Sequence, residues 1–126
     1  MLKNAREEIL RMWIRLAKYE DRFITPELFQ WMSKSRRKLD SKDVSAIRNY
    51  KAHKMRLPLF IKKHNDEGFE FYYMGDTEPL VEQFEEQKMH TDKGSSVSVV
   101  KMMLRLKSPV PHEMYEYITE INGVTF

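Results

Sequence analysis

The chain has 126 residues, 41% hydrophobic and 12% aromatic, which fits one globular domain with its own core and excludes a disordered chain. It has no cysteine, which excludes disulfides and thiolate metal sites, and no apolar run long enough to span a membrane, so a cytoplasmic protein with no membrane partner is expected. The net charge of +3 divides unevenly: residues 1–64 hold 17 Lys/Arg against 7 Asp/Glu, giving +10, and residues 65–126 hold 5 against 12, giving −7.

The first 20 residues carry eight charges, unlike a signal peptide. Within them Ala5, Ile9, Met12, Trp13 and Leu16 recur at three- and four-residue spacing, which predicts an amphipathic helix over 3–19. Arg11, Arg15, Lys18 and Arg22 fall on its other face. We divide the chain into this N-terminal helical element, 1–17, and one domain, 18–126. Thr25-Pro26-Glu27 has the grammar of a helix start, with a capping hydroxyl, a proline in the first turn and an acid opposing the dipole. A short helix over 26–34 follows from it, with Leu28, Phe29 and Met32 on its buried side. Asp40 and Ser41 offer caps for another helix, 42–53, whose apolar stripe is Val44, Ile47 and Tyr50.

The period then changes. LPLFIKK (57–63) and FEFYYMG (69–75) read as strands, and Asn65, Asp66 and Gly68 supply a turn between them. Residues 80–90 lean to strand, and 92–96 form a loop turning at Gly94. Residues 97–107 alternate, with Val100, Met102, Leu104 and Leu106 on one side and Lys101, Arg105 and Lys107 on the other, the mark of a half-buried antiparallel strand. Pro109 and Pro111 end it, and a helix over 113–119 turns Met114, Tyr117 and Ile118 inward. The fold class expected is α+β: an antiparallel, curled sheet or partly open β-barrel with flanking short helices.

No pair among His53, His64, His90 and His112 has metal-site spacing, and no nucleophile elbow or phosphate loop exists, so no metal, cofactor or catalytic residue is assigned. Glu86-Gln87-Lys88 with Glu82 has the letters of a nuclease site, but Glu-x-Lys arises by chance in a chain this charged. Residues 34–63 are more specific: 11 basic residues against only Asp40 and Asp43, interleaved with aromatics. Cations neutralise phosphates and aromatic planes stack bases. Ser33, Lys34, Ser35, Arg36, Arg37, Lys38, Lys54 and Arg56 are the phosphate-binding candidates. Trp31, Asn49, His53, Tyr72 and Tyr73 are the base-reading candidates, with Tyr72 and Tyr73 on alternate faces of one strand so that one of them can line a pocket. Trp31 also reads as a core residue.

Three stretches carry a resemblance: KYEDRFITPELFQWMSKSRRKLDSKDV (18–44), LPLFIKKHNDEGFEFYYMGD (57–76) and VVKMMLRLKSPVPHEMYEYI (99–118). Leu28-Phe29-Gln30-Trp31-Met32-Ser33, then Leu59-Phe60-Ile61-Lys62, Tyr73-Met74-Gly75 and Pro109-Val110-Pro111, resemble in order the C-terminal domain of bacterial helicase-like, type IV (modification-dependent) restriction proteins. The resemblance implies a curled sheet similar to the SRA or PUA barrels. It also implies a target-recognition module for double-stranded DNA carrying methylated or hydroxymethylated cytosine, working with parent helicase and nuclease domains. Two departures stand against the family pattern. No motor or nuclease precedes the domain in this chain, and its first 17 residues do not read as the strand-like lead-in. The parent proteins' ATPase and nuclease activities are therefore not carried over, and the domain itself is expected not to be an enzyme. The alternative is a protein-interaction or dimerisation module, with the helix over 3–19 and the acidic 65–92 segment meeting a basic partner or a second copy head to tail.

Overall fold

The computed structural model describes residues 8–9, 12–15, 21–62, 71–121 and 124–125. Its architecture is α+β: a curled, largely antiparallel half-barrel sheet with two short helices. The organising strand is β9, Ser96–Leu106. Before it in the chain come β1 (Glu8–Ile9), β2 (Met12–Arg15), β3 (Arg22–Thr25), β4 (Leu28–Met32), β5 (Met55–Arg56), β6 (Pro58–Lys62), β7 (Tyr72–Pro79) and β8 (Glu85–His90). The sheet runs β2-β6-β7-β9-β4-β3, and β8 pairs with the first half of β9. Short pairs join β1 to β5 and β10 (Glu120–Ile121) to β11 (Val124–Thr125). Helix α1 is Lys42–Arg48 and α2 is His112–Thr119.

The alternation read in β9 is its physical basis. Val100, Met102, Leu104 and Leu106 are all buried, against Phe29 on β4, Leu59 and Ile61 on β6, and Met74 on β7. Lys101 and Arg105 face the other way. The helices close the core with Val44 and Ile47 from α1 and Ile118 from α2. Each such side chain removes enough apolar surface from water to be worth about 1.5–3 kcal/mol.

Three expectations are corrected. The helix over 26–34 does not form: β3 and β4 are an antiparallel hairpin, with Phe23 opposite Phe29. Thr25-Pro26-Glu27 turns the hairpin, and Glu27 N–H donates to Thr25 Oγ1 at 3.1 Å. Proline and a short hydroxyl residue serve a β-turn as well as a helix start. What decides is the two-residue spacing of Phe29 and Trp31, which places them opposite Leu104 and Met102 of β9. The helix over 3–19 is replaced, in its described residues, by extended chain: β2 runs parallel to β6, from Met12 opposite Leu59 to Arg15 opposite Lys62. The helix over 42–53 stops at Arg48, and residues 49–54 are turns. Lys54 takes φ 53°, and Met55 N–H closes onto the Tyr50 carbonyl at 2.8 Å, a helix-end closure that normally uses glycine.

Elsewhere the expectations agree with the structure. The strand expected over 57–63 is β6, Pro58–Lys62; the one expected over 69–75 is β7 in its described residues and runs on to Pro79; and Gly94, at φ 80°, turns the loop between β8 and β9. Residues 80–90 divide into a 3-10 turn, Val81–Gln83, and β8. The hairpin turn expected at 65–68 lies outside the described residues. In α2 Ile118 is buried and Met114 partly so, but Tyr117 is exposed, and Tyr115 packs on Phe23 with ring centroids 5.8 Å apart.

Strand β7 contains the irregularity that shapes the outer face. Opposite β6 the register slips, so that Gly75 faces Leu59 but Tyr73 faces Phe60, leaving Met74 as an extra residue. Gly75 takes φ 109°, a conformation open to glycine alone. At the bulge Met74 is buried; after it Thr77 and Pro79 are. The slip therefore puts Tyr73, Asp76 and Glu78 on one face, although 73 and 76 would point oppositely in a regular strand. Gly75→Ala is expected to cost about 1–3 kcal/mol from backbone strain. A side chain there would meet only Leu106 Cδ1, at 4.0 Å, so sterics add nothing. Chemical denaturation checks this.

Candidate nucleic-acid interface

The phosphate-binding candidates fall on either side of α1 in the chain: Ser33, Lys34, Ser35, Arg36, Arg37 and Lys38 before it, Lys54 and Arg56 after it. At its N-terminal side the chain leaves β4 and makes a short excursion clamped to β9 at both feet. Ser33 N–H donates to the Val100 carbonyl at 2.9 Å and Arg37 N–H to the Ser98 carbonyl at 3.2 Å. Lys34, Ser35 and Arg36 lie exposed between these feet, and Arg36 takes φ 60°. Holding a non-glycine residue there costs on the order of 1 kcal/mol.

Two members of this group have structural duties. Ser33 Oγ accepts Val100 N–H at 2.8 Å and donates to the Lys34 carbonyl at 2.9 Å. Arg37 pairs with Asp43 at 2.9 Å and donates to the Ser35 carbonyl at 3.2 Å. Burial pushes the Asp43 carboxyl up, but the Arg37 hydrogen bond and the Val44 N–H outweigh it and hold it below the usual range. Ser41 stands at the N-cap of α1, yet its hydroxyl accepts Lys38 N–H at 2.8 Å and makes no bond to the helix. Leu39 N–H donates to Glu86 Oε1 on β8 at 2.8 Å, so that carboxylate of the nuclease-like letters helps to seat this loop. Lys34, Arg36, Lys38 and Lys42 remain exposed, with no ion pair among the described residues.

At the C-terminal side of α1 lies a cavity of about 540 Å³. Arg48, Asn49, Tyr50, Lys51 and Ala52 form one wall; Glu78, Pro79, Leu80, Val81, Glu82 and Gln83 form the other. Asn49 is thus the one base-reading candidate in the lining. Its amide donates to Ser45 O at 2.9 Å and Ser45 Oγ at 3.2 Å, which fixes its orientation. Arg48 donates to the Leu39 carbonyl at 3.0 Å, while its buried Nε has no partner among the described residues. Burial first, and then the Glu78 carboxylate, raise the Tyr50 phenol, and Arg105 opposes them. Tyr50 stays neutral and can donate a hydrogen bond.

The other candidates lie elsewhere. Trp31 is half-buried and packs against the core; His53 is exposed outside the cavity; Tyr72 packs inward, its ring 5.6 Å from that of Tyr117. Tyr73 faces outward on β7, away from the cavity lining, with its hydroxyl donating to Asp76 Oδ1 at 2.9 Å. Arg56 forks onto the same carboxylate at 2.9 and 3.1 Å. The Arg56 hydrogen bonds chiefly, with Tyr73 and Lys107 beside them, hold the Asp76 carboxyl low against burial. Arg105 does the same for Glu78, assisted by Lys51 and Lys107. A second group of cations, Lys51, Arg56, Arg105 and Lys107, thus surrounds Asp76 and Glu78. Sequence reasoning put Arg105 and Lys107 on the polar face of β9 but not beside Arg56, because only the β7–β9 pairing, Glu78 opposite Arg105, unites them.

No group of three His, Asp or Glu side chains able to hold a metal occurs among the described residues, and no helix among them is long and apolar enough to cross a membrane.

A family described as "Domain of unknown function (DUF3427)" matches residues 13–118. No curated protein matches the chain. Among solved structures the chain is similar to the DNA modification-dependent restriction endonuclease AspBHI, at 14% identity and a TM-score of 0.58. The similarity covers 85% of this chain and 33% of that one, so the chain spans about a third of the endonuclease's length. At that identity the likeness is one of fold.

Proposed function

The chain belongs to the DUF3427 family, and from that premise we propose that it is a DNA-recognition domain of a modification-dependent restriction system, selecting duplexes that carry methylated or hydroxymethylated cytosine. The observation that carries the reading is the clamped loop 33–37. A strained backbone holds Arg36 at a position where glycine would be favoured, beside Lys34 and between two bonds to the sheet. Keeping a long cation there has a conformational cost, which a phosphate contact offsets. The fold likeness to a modification-dependent endonuclease supports the same reading.

Affinity and selectivity then fall to different places. Lys34, Arg36, Lys38 and Lys42 hold phosphates and give affinity without sequence information. The cavity reads the base. Its volume lies within the range of ordinary ligand sites. Pro79, Leu80 and Val81 offer an apolar wall to a methyl group, Tyr50 offers a ring, and Glu82 offers an acceptor for the exocyclic amine of cytosine. The domain works as a binder with no chemistry of its own, acting for helicase and nuclease partners.

The test is binding of one duplex sequence with and without cytosine methylation, at several fixed salt concentrations. The native chain is expected to prefer the methylated duplex. Tyr50→Ala is expected to remove most of that preference while leaving the salt slope as it was. Equal affinity for both duplexes sinks the modification reading, and magnesium-dependent cleavage of either would return Glu82, Glu86 and Lys88 to consideration as a nuclease site.

A further inference from the structure

The outer face of β7 carries an aromatic arrangement that duplex recognition leaves unused. Tyr73 is 54% exposed, a large fraction for a ring of this size in a sheet. It is not a loose side chain. One face leans on Phe60, with centroids 5.3 Å apart and planes 39° from parallel. Its hydroxyl is pinned by Asp76, which the fork of Arg56 holds in turn. The glycine bulge at 75 exists in a geometry that brings Tyr73 and Asp76 to the same side. The result is a ring held at its hydroxyl and against Phe60, with about half of the residue open to solvent.

Cations border this plane. Arg56 is part of it, and Lys107 lies close enough to both Asp76 and Glu78 to lower their carboxyls. Lys51 and Arg105 continue the line at Glu78. Four cations thus surround two carboxylates, and the local balance is positive. A rigid exposed aromatic plane beside a positive strip does not suit a duplex, whose bases are already stacked on each other. It suits unpaired nucleotides: every base has a π-face to lay on the ring, and the strip follows the phosphates.

We propose that the outer face of β7 is a single-stranded DNA site, in which an unpaired base stacks on Tyr73 and the backbone passes Arg56 and Lys107. The site is separate from the loop at 33–37; its strip reaches the cavity at Lys51 and Glu78, but Tyr73, Arg56 and Lys107 lie outside the cavity lining, so the stacking position does not depend on the duplex reading. Its chemistry is indifferent to sequence and to methylation, because stacking and phosphate contacts read neither.

The experiment is fluorescence anisotropy with the full 126-residue chain and three probes: a labelled twelve-nucleotide oligo-dT, the same backbone with abasic sugars throughout, and a labelled duplex. The native chain is expected to bind oligo-dT about tenfold more tightly than the abasic strand. Tyr73→Ala is expected to lose about tenfold on oligo-dT and less than twofold on the duplex. Tyr73→Phe, which keeps the ring, is expected to stay within threefold of the native chain on both. Thermal melts confirm that each variant is folded, and the exposure of Tyr73 makes it a tolerant position. Equal binding of oligo-dT and abasic strand, or an unchanged oligo-dT affinity in Tyr73→Ala, overturns the site. Failure on the single strand with intact duplex binding leaves the duplex reading standing; the reverse result separates them the other way.

Discussion

Phe29→Ala is expected to cost about 4 kcal/mol of folding stability, the scale of a buried aromatic removed from a close-packed core. Phe29 is 0% exposed, opposite Leu104 of β9, with its ring 4.9 Å from Phe23 in an edge-to-face contact. It joins three elements, since Phe23 in turn meets Tyr115 of α2. Domains of this kind are stable by roughly 5–15 kcal/mol, so one such loss consumes much of the margin. Equilibrium urea unfolding measures it, with Phe29→Leu as the graded control at about 1.5 kcal/mol. The consequence extends to binding. Strand β4 delivers Ser33 to Val100, and that bond is one foot of the cationic loop. A variant that loosens β4 is therefore expected to lose DNA affinity before it loses all structure. A loss of unfolding free energy below about 1 kcal/mol would show that β4 is not part of the core as described.

The legibility of this fold varies by strand, and the reason is physical. From Val100 to Leu106 in β9 local alternation and tertiary burial agree, so the sequence names those four buried side chains; it misses Val97 and Val99, which are buried as well because β8 covers that half of the strand. In β4 they disagree. Thr25-Pro26-Glu27 has local grammar shared by turns and helix starts, and only pairing with a strand some seventy residues later decides between them. The N-terminal segment fails similarly: Ile9, Met12 and Trp13 sit at helical spacing, yet Met12–Arg15 gains a parallel partner in β6 that no local pattern announces. The departure from the family's strand-like lead-in, read from that periodicity, is corrected with it: Met12–Arg15 is strand. For the candidate site, the basic loop was legible as composition. What composition could not separate were the cations with structural work, such as Arg37 on Asp43, from those left to meet a ligand. Nor could it show that β7 would carry Asp76 and Glu78 under Arg56, Arg105 and Lys107, since that depends on the bulge at Gly75.

That separation fixes the variant that tests the duplex interface. Replacing both Arg36 and Arg37 would confound two effects, because Arg37 holds Asp43 and the Ser35 carbonyl. Lys34 and Arg36 are exposed and carry no such bonds among the described residues. Arg36→Gly has a further advantage. At φ 60° glycine relieves the backbone, so the variant is expected to be as stable as the native chain or more so, by up to about 1 kcal/mol. Combined with Lys34→Ala it removes two charge-assisted phosphate contacts, each worth about 1 kcal/mol at an exposed site. Duplex affinity is expected to fall about thirtyfold, equally for methylated and unmethylated DNA. The slope of log affinity against log salt is expected to flatten by about 2, close to one unit per phosphate released. Stability rising while affinity and salt slope fall together is a combination that general damage to the fold does not produce. If instead Lys34→Ala with Arg36→Gly keeps native affinity and slope, the strain at Arg36 serves something other than DNA, and the loop at 33–37 is not the duplex interface.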